Sequence, residues 1–293
     1  MKRFLLGVGV ALALAAPAQA ERLVGLTSDN RLALFESTSP STATFRSIAG
    51  LGGDTLLGID LRATDRRIYA LGSSGSIYRL GSGGSTGVTA TSLGSITTAI
   101  NGGNVDLDFN PAANRLRTSS NANQSLRLNP DAPAAAGGTN VDGSYNYATG
   151  GAPSIVGVAY LNNRPGATTT RFFALDAARN QLVVVSPPNV GTLTSPLALN
   201  GLTLTSDGPV GFDISGGTDA AFVAFGGQLY GLGLGTGNAT LLGTLGTGVT
   251  DITALAVPEP ATWAMMIGGF GAIGAQLRRR SGLKLRVAKA VRA

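Results

Sequence analysis

The sequence predicts an all-β protein, a five-bladed β-propeller of four-stranded blades closed by both termini. Three observations point there. Between Glu21 and Val257 no apolar run has helical periodicity; only short β-branched or alternating stretches occur. Glycine, serine, asparagine, aspartate and proline separate them, and these residues favour turns. The stretches also recur in groups of four, at a period typical of propeller blades.

The expected strands run in order. Three lie near the start, at residues 23–26, 31–35 and 44–48. A first full unit follows at 57–61, 67–72, 76–80 and 88–94, and a second at 105–109, 115–117, 125–128 and 144–147. The third covers 155–160, 171–175, 181–185 and 196–199; the fourth covers 210–214, 221–225, 228–232 and 239–245. One strand, 251–257, is left over. Joined to the first three, it makes a fifth blade from both ends of the domain and leaves no open ring edge. A β-sandwich is the alternative architecture for such a pattern.

Both ends of the chain carry targeting features. Lys2 and Arg3 precede the apolar run 4–16, and Pro17-Ala18-Gln19-Ala20 follows. This order predicts a signal peptide over residues 1–20, with Ala18 and Ala20 as the small residues of the cleavage site. At the other end Pro258-Glu259-Pro260 precedes an uncharged apolar stretch, 261–277, and then Arg278, Arg279 and Arg280. Seventeen residues is the lower limit for a spanning helix, and a positive flank stays cytoplasmic. A short C-terminal transmembrane helix is therefore expected. The domains expected are a β domain at 21–257, a sorting and anchor segment at 258–280 and a basic tail at 281–293.

The tail from Val257 to Gly271 with the arginine cluster resembles the PEP-CTERM sorting signal of Gram-negative bacteria. That resemblance implies processing near Pro258-Glu259-Pro260 by an exosortase, with the chain held at the inner membrane facing the periplasm. It also implies later transfer to the outer surface or extracellular matrix, with an exopolysaccharide or an envelope protein as partner. The extra residues 281–293 depart from the family's usual ending.

Composition removes many functions. The net charge of +6 comes from the ends: residues 21–277 hold 13 basic and 16 acidic side chains, so no basic patch argues for nucleic acid. Cysteine and histidine are absent, and lysine occurs only at Lys2, Lys284 and Lys289. Serine–histidine and cysteine–histidine nucleophiles, Schiff-base chemistry and soft metal sites are thereby excluded. Carboxylate chemistry and oxygen-ligand metals such as calcium remain. No cofactor is called for, and no enzyme activity is expected.

Two motifs mislead. Gly83-Gly84-Ser85-Thr86-Gly87 fits a nucleophile elbow, but no histidine exists to activate Ser85. Gly269-Phe270-Gly271-Ala272-Ile273-Gly274 fits a dinucleotide fingerprint, but lies inside the apolar span.

Several segments resemble the bacterial family called domain of unknown function 4394. They are Leu26-Thr27-Ser28-Asp29-Asn30-Arg31-Leu32, Leu56-Leu57-Gly58-Ile59-Asp60, Asp108-Phe109-Asn110-Pro111 with Arg115-Leu116-Arg117, Leu128-Asn129-Pro130-Asp131 and Gly211-Phe212-Asp213-Ile214. Asn114 stands where an acidic residue is expected. The resemblance implies a repetitive β fold and brings no activity.

Aligning the unit openings places Asp60, Asp108 and Asp213 at one equivalent position, with Ala159 and Ala254 in the other two. First strands line a propeller's channel, so the three carboxylates would ring its mouth. There they would hold calcium, bind a sugar, or form a glycosidase pair. The plainer reading is that each ties strand to turn through backbone N–H groups. Asp106, Asp108 and Asn110 fall on one strand face, which suits an oxygen site better than an EF-hand loop. Tyr69, Tyr78, Tyr145, Tyr147, Tyr160 and Tyr230 offer faces to sugars, although their strand positions favour packing. Arg62, Asp65, Arg66 and Arg67 read as a solvated hairpin tip.

Overall fold

The computed structural model describes residues 20–84, 87–246 and 248–255. Residues 1–19 of the signal segment, the sorting motif, the apolar stretch at 261–277, the basic tail and Ser85 lie outside the described residues. Among the described residues the fold is all-β. Helix is confined there to one 3₁₀ turn, Pro40–Thr42, and no helix is long and apolar enough to cross a membrane.

The chain begins with β1 (Arg22–Thr27), β2 (Arg31–Glu36) and β3 (Thr44–Ala49). Next come β4 (Leu56–Arg62), β5 (Arg67–Gly72), β6 (Ser76–Ser82) and β7 (Gly87–Ser95). A third group is β8 (Val105–Asn110), β9 (Arg115–Ser120), β10 (Ser125–Leu128) and β11 (Thr139–Val141). The fourth is β12 (Asn146–Tyr147), β13 (Ile155–Tyr160), β14 (Phe172–Asp176), β15 (Gln181–Val185) and β16 (Thr192–Ala198). The last is β17 (Val210–Ile214), β18 (Ala221–Phe225), β19 (Gln228–Leu232) and β20 (Ala239–Thr244), then β21 (Val249–Leu255).

Hydrogen bonding sorts these strands into four sheets. Strands β8–β11 and β17–β20 each form an antiparallel meander, as do β13–β16 with β12 added at the edge. The largest sheet runs β21-β1-β2-β3-β7-β6-β5-β4. It is two four-stranded meanders joined by a short parallel contact, Ser47 opposite Gly87. Strand β21 pairs with β1, Leu23 opposite Ala254, so the end of the domain completes the set its beginning opened.

The first strand of each set touches the next in a cycle: β4 with β8, β8 with β13, β13 with β17, β17 with β21, and β21 with β4. Burial falls away from that centre. Strand β17 is buried at every position, whereas β20 is mostly exposed or half-buried. Apolar side chains fill the seams between sheets. Leu175, Val184, Phe212 and Val223 form one such cluster, and Leu23, Phe222, Leu229 and Ile252 another.

One strand assignment is corrected. Residues 144–147 do not close the second unit; β11 does, pairing Leu126 with Val141. Strand β12 instead lies parallel to β16, Asn146 opposite Thr192. The reason is aromatic burial. Tyr145 and Tyr147 pack with Ile155, Phe172, Val183 and Leu193, and Tyr147 Oη–H donates to Asp176 Oδ2 at 2.6 Å. The core of the third unit therefore buries both rings.

Arg62 is also corrected: it is buried, not part of a solvated tip. Its guanidinium donates in bidentate fashion to Asp131, at 2.7 and 2.6 Å, and to Asn114 Oδ1 at 2.8 Å. Asn114 has a positive φ of 50° in the β8–β9 hairpin, a conformation asparagine tolerates better than most residues. That explains its presence there. Arg117, on β9, crosses the next seam to Asn189 Oδ1 (2.9 Å) while pairing with Asp142 (2.6 Å).

Candidate functional site

The cycle of first strands brings five acidic residues into its interior: Asp60 on β4, Asp106 and Asp108 on β8, Asp213 on β17 and Asp251 on β21. All are 0–1 % exposed. They form two layers, because alternate residues of a strand share a face.

Hydrogen bonds fix the equivalences. Phe109 N–H donates to Asp60 Oδ2 at 2.7 Å, and Tyr160 N–H donates to Asp108 Oδ1 at 3.2 Å. Ala254 N–H donates to Asp213 Oδ2 at 2.5 Å, and Leu61 N–H donates to Thr253 Oγ1 at 3.0 Å. One layer is therefore Asp60, Asp108, Ala159, Asp213 and Thr253. Thr253, not Ala254, fills the fifth position. In the second layer Ile59 N–H donates to Asp251 Oδ2 and Val158 N–H to Asp106 Oδ2, both at 2.6 Å. Its members are Gly58, Asp106, Gly157, Gly211 and Asp251.

Each carboxylate thus ties its strand to the next first strand of the cycle rather than to a turn of its own sheet. Neighbouring first strands belong to different sheets or to opposite edges of the largest one, so they share no backbone ladder. The aspartates satisfy N–H groups that would otherwise be orphaned in the interior. The glycines make room for them. A Cβ on Gly58 would stand 2.8 Å from Asp251 Oδ2, and one on Gly211 would stand 2.5 Å from Ile252 N.

The electrostatics are severe. One oxygen each from Asp60, Asp108 and Asp213 lie within 4.8 Å of one another. Burial pushes all three carboxyls up, those of Asp60 and Asp108 well above the usual range. The Asp213 charge adds to the effect at Asp60, and the Asp60 and Asp213 charges add to it at Asp108. In the other layer, burial and then the Asp251 charge push Asp106 up, and burial lifts Asp251 to about 7. Among the described residues none of these five is in an ion pair. Two oxygens, Asp106 Oδ1 and Asp108 Oδ2, have no backbone or hydroxyl donor; Asp106 meets the Asp251 carboxyl and Asp108 the Asp213 carboxyl.

The structure therefore gathers Asp60, Asp108 and Asp213 as expected, but in the buried interior rather than at an open mouth. Asp251 and Thr253 were missed. The signal was present: Thr250-Asp251-Ile252-Thr253 parallels Val105-Asp106-Leu107-Asp108. Asn110 leaves the set and caps the hairpin, its Oδ1 accepting from Ala112 and Ala113 N–H. Five of the six tyrosines are buried and Tyr230 is half-buried, which fits packing. Ala20 is exposed at the start of the described residues, whereas Ala18, Pro258, Glu259, Pro260 and Arg278–Arg280 lie outside them.

In overall shape the chain is similar to a structural genomics protein of unknown function from Bacteroides thetaiotaomicron VPI-5482. Identity is 13 %, TM-score 0.48, with 70 % of this chain and 54 % of that one covered, about half its length. It is also similar to a chain of a nidogen/laminin complex at 12 % identity and TM-score 0.47, covering 81 % of this chain and 98 % of that one. No curated protein matches the chain. Residues 256–280 match the PEP-CTERM protein-sorting motif. Residues 31–256 match the domain of unknown function DUF4394, and the chain belongs to that family.

Proposed function

We propose that this is an exported, exosortase-sorted protein whose domain is a non-enzymatic five-bladed β-propeller serving the envelope or extracellular matrix. The observation that carries the reading is adjacency. The last strand ends at Leu255, and the sorting motif begins at residue 256. Such a motif implies export, membrane sorting and exosortase processing in Gram-negative bacteria. The sets of four strands, the cycle of first strands and the pairing of β21 with β1 support the propeller.

The domain's task in this reading is binding, with a surface polysaccharide or another envelope protein as partner. A groove of about 530 Å³ between β1–β3 and β4–β7 supports it. Leu34, Leu80 and Leu255 line it together with Arg46, Arg66 and Arg67, beside the exit toward the sorting segment. A carboxylate-dependent enzyme draws no support from Asp60, Asp108 and Asp213. They are buried and capped by backbone donors, whereas a glycosidase pair needs an open pocket.

The test is fractionation of wild-type and exosortase-deficient cells. The protein should appear in the envelope or matrix of the wild type, with its polysaccharide, and accumulate uncut at the inner membrane of the deficient strain. Identical distribution in both strains would refute the reading.

A further inference from the structure

We propose that Asp60, Asp108 and Asp213 form a calcium-binding centre inside the cycle of first strands, with Asp108 Oδ2 as a ligand free of backbone and hydroxyl donors. The geometry carries the assignment. The three carboxylates come from β4, β8 and β17, and each offers an oxygen within 4.8 Å of the other two. Opposite ligands around a calcium ion stand about 4.6–5.2 Å apart, so the three oxygens fit a single coordination sphere.

A second observation is independent of the clustering. Asp108 Oδ2 is buried with no backbone or hydroxyl donor, the side-chain contact of Asp108 being with the Asp213 carboxyl, whereas Asp108 Oδ1 accepts from Tyr160 N–H. A carboxylate oxygen shut in the interior without a donor costs free energy, and a cation removes that cost. The other ligands keep their backbone bonds while coordinating. Asp60 accepts from Phe109 N–H and Thr253 Oγ1–H, and Asp213 accepts from Ile214 and Ala254 N–H, each at 2.5–2.8 Å. These donors hold the carboxylates in place before an ion arrives.

The donor set selects the ion. It is all oxygen, and its three carboxylates are triply anionic once deprotonated, which suits a hard cation. Calcium tolerates irregular oxygen shells, whereas magnesium demands a near-ideal octahedron, which three carboxylates held by backbone donors do not supply. Export brings the folded chain into compartments where weak calcium sites of the extracellular kind fill.

The protein purified from the envelope should be unfolded and refolded with EDTA, then melted with calcium chloride, magnesium chloride or no addition, at pH 8. Calcium at a hundredfold over its dissociation constant should raise Tm by about 5–10 °C. Native mass spectrometry should then show one retained calcium. Asp108→Asn keeps the shape and the Tyr160 bond, so it should fold, melt in EDTA at or above the wild type, and lose the calcium response. A wild-type Tm that ignores calcium but rises as pH falls from 8 to 5 would overturn the proposal, since protons would then hold the carboxyls. An equal response to magnesium would overturn the choice of ion, and an unchanged response in Asp108→Asn would overturn the site.

Discussion

The seams between the sheets and the interior of the ring handle buried charge in opposite ways. At the seams the charge is cancelled within the chain. Asp142 lies 2.6 Å from Arg117 and 3.1 Å from Arg127, and Asp131 lies 2.6 Å from Arg62. In the ring Asp60, Asp106, Asp108, Asp213 and Asp251 have backbone N–H and hydroxyl donors but no arginine. The seams are electrically complete; the ring must take its compensation from solution. Its stability should therefore respond to cations and to pH near neutrality, where that of the seams does not.

The largest blow to that contrast comes at a seam. Arg117 is 2 % exposed, and Arg117→Ala strands Asp142 with only the half-exposed Arg127. Breaking a buried pair of this kind costs about 3–5 kcal/mol. Chemical denaturation should show it in EDTA and in calcium alike; a loss that calcium restores would blur the distinction.

A smaller effect tests whether the ring is held by shape as well as charge. Gly211→Ala puts a Cβ 2.5 Å from Ile252 N and 2.7 Å from Asp251 Cα, backbone atoms that cannot swing aside. Overpacking of this sort costs about 1–3 kcal/mol. A melt unchanged from wild type would show that β17 and β21 separate more easily than their contact suggests.

The smallest effect concerns pH at the Arg62 seam. The Arg62 guanidinium holds the Asp131 carboxyl below its ordinary value of 3.8. A depressed folded value means the pair contributes above that pH and loses its contribution as pH falls through the folded value. Asp131 is 58 % exposed, so solvent screening limits the effect to about 1 kcal/mol or less. Wild type and Asp131→Asn should differ slightly in melting at pH 6 and converge near pH 2.

Strand positions were legible because alternation and turn residues act locally. Residues 155–160, 181–185, 210–214, 221–225 and 228–232 carry the strands expected there. The exceptions depend on tertiary contact. Tyr145 and Tyr147 alternate like a strand of the second unit, yet they join the third because its core buries both rings. The same limit governs the site. Asp60, Asp108 and Asp213 follow recognisable unit openings. Asp251 and Thr253 lie on a strand with no hairpin of its own, whose alignment is set by β1 across a register shift at Leu26/Thr27. Arg62 looked solvated because its partner Asp131 is 69 residues away. Local pattern places strands; which side chains meet across sheets is decided by the closed arrangement.

The sorting account rests on what happens at the two ends of the domain, and intact mass spectrometry of the envelope-associated protein tests it most directly. Export with exosortase processing predicts a chain that begins at Glu21 and ends near Pro258-Glu259-Pro260, with or without an attached group. A mass equal to all 293 residues, recovered from the cytosol, would contradict it.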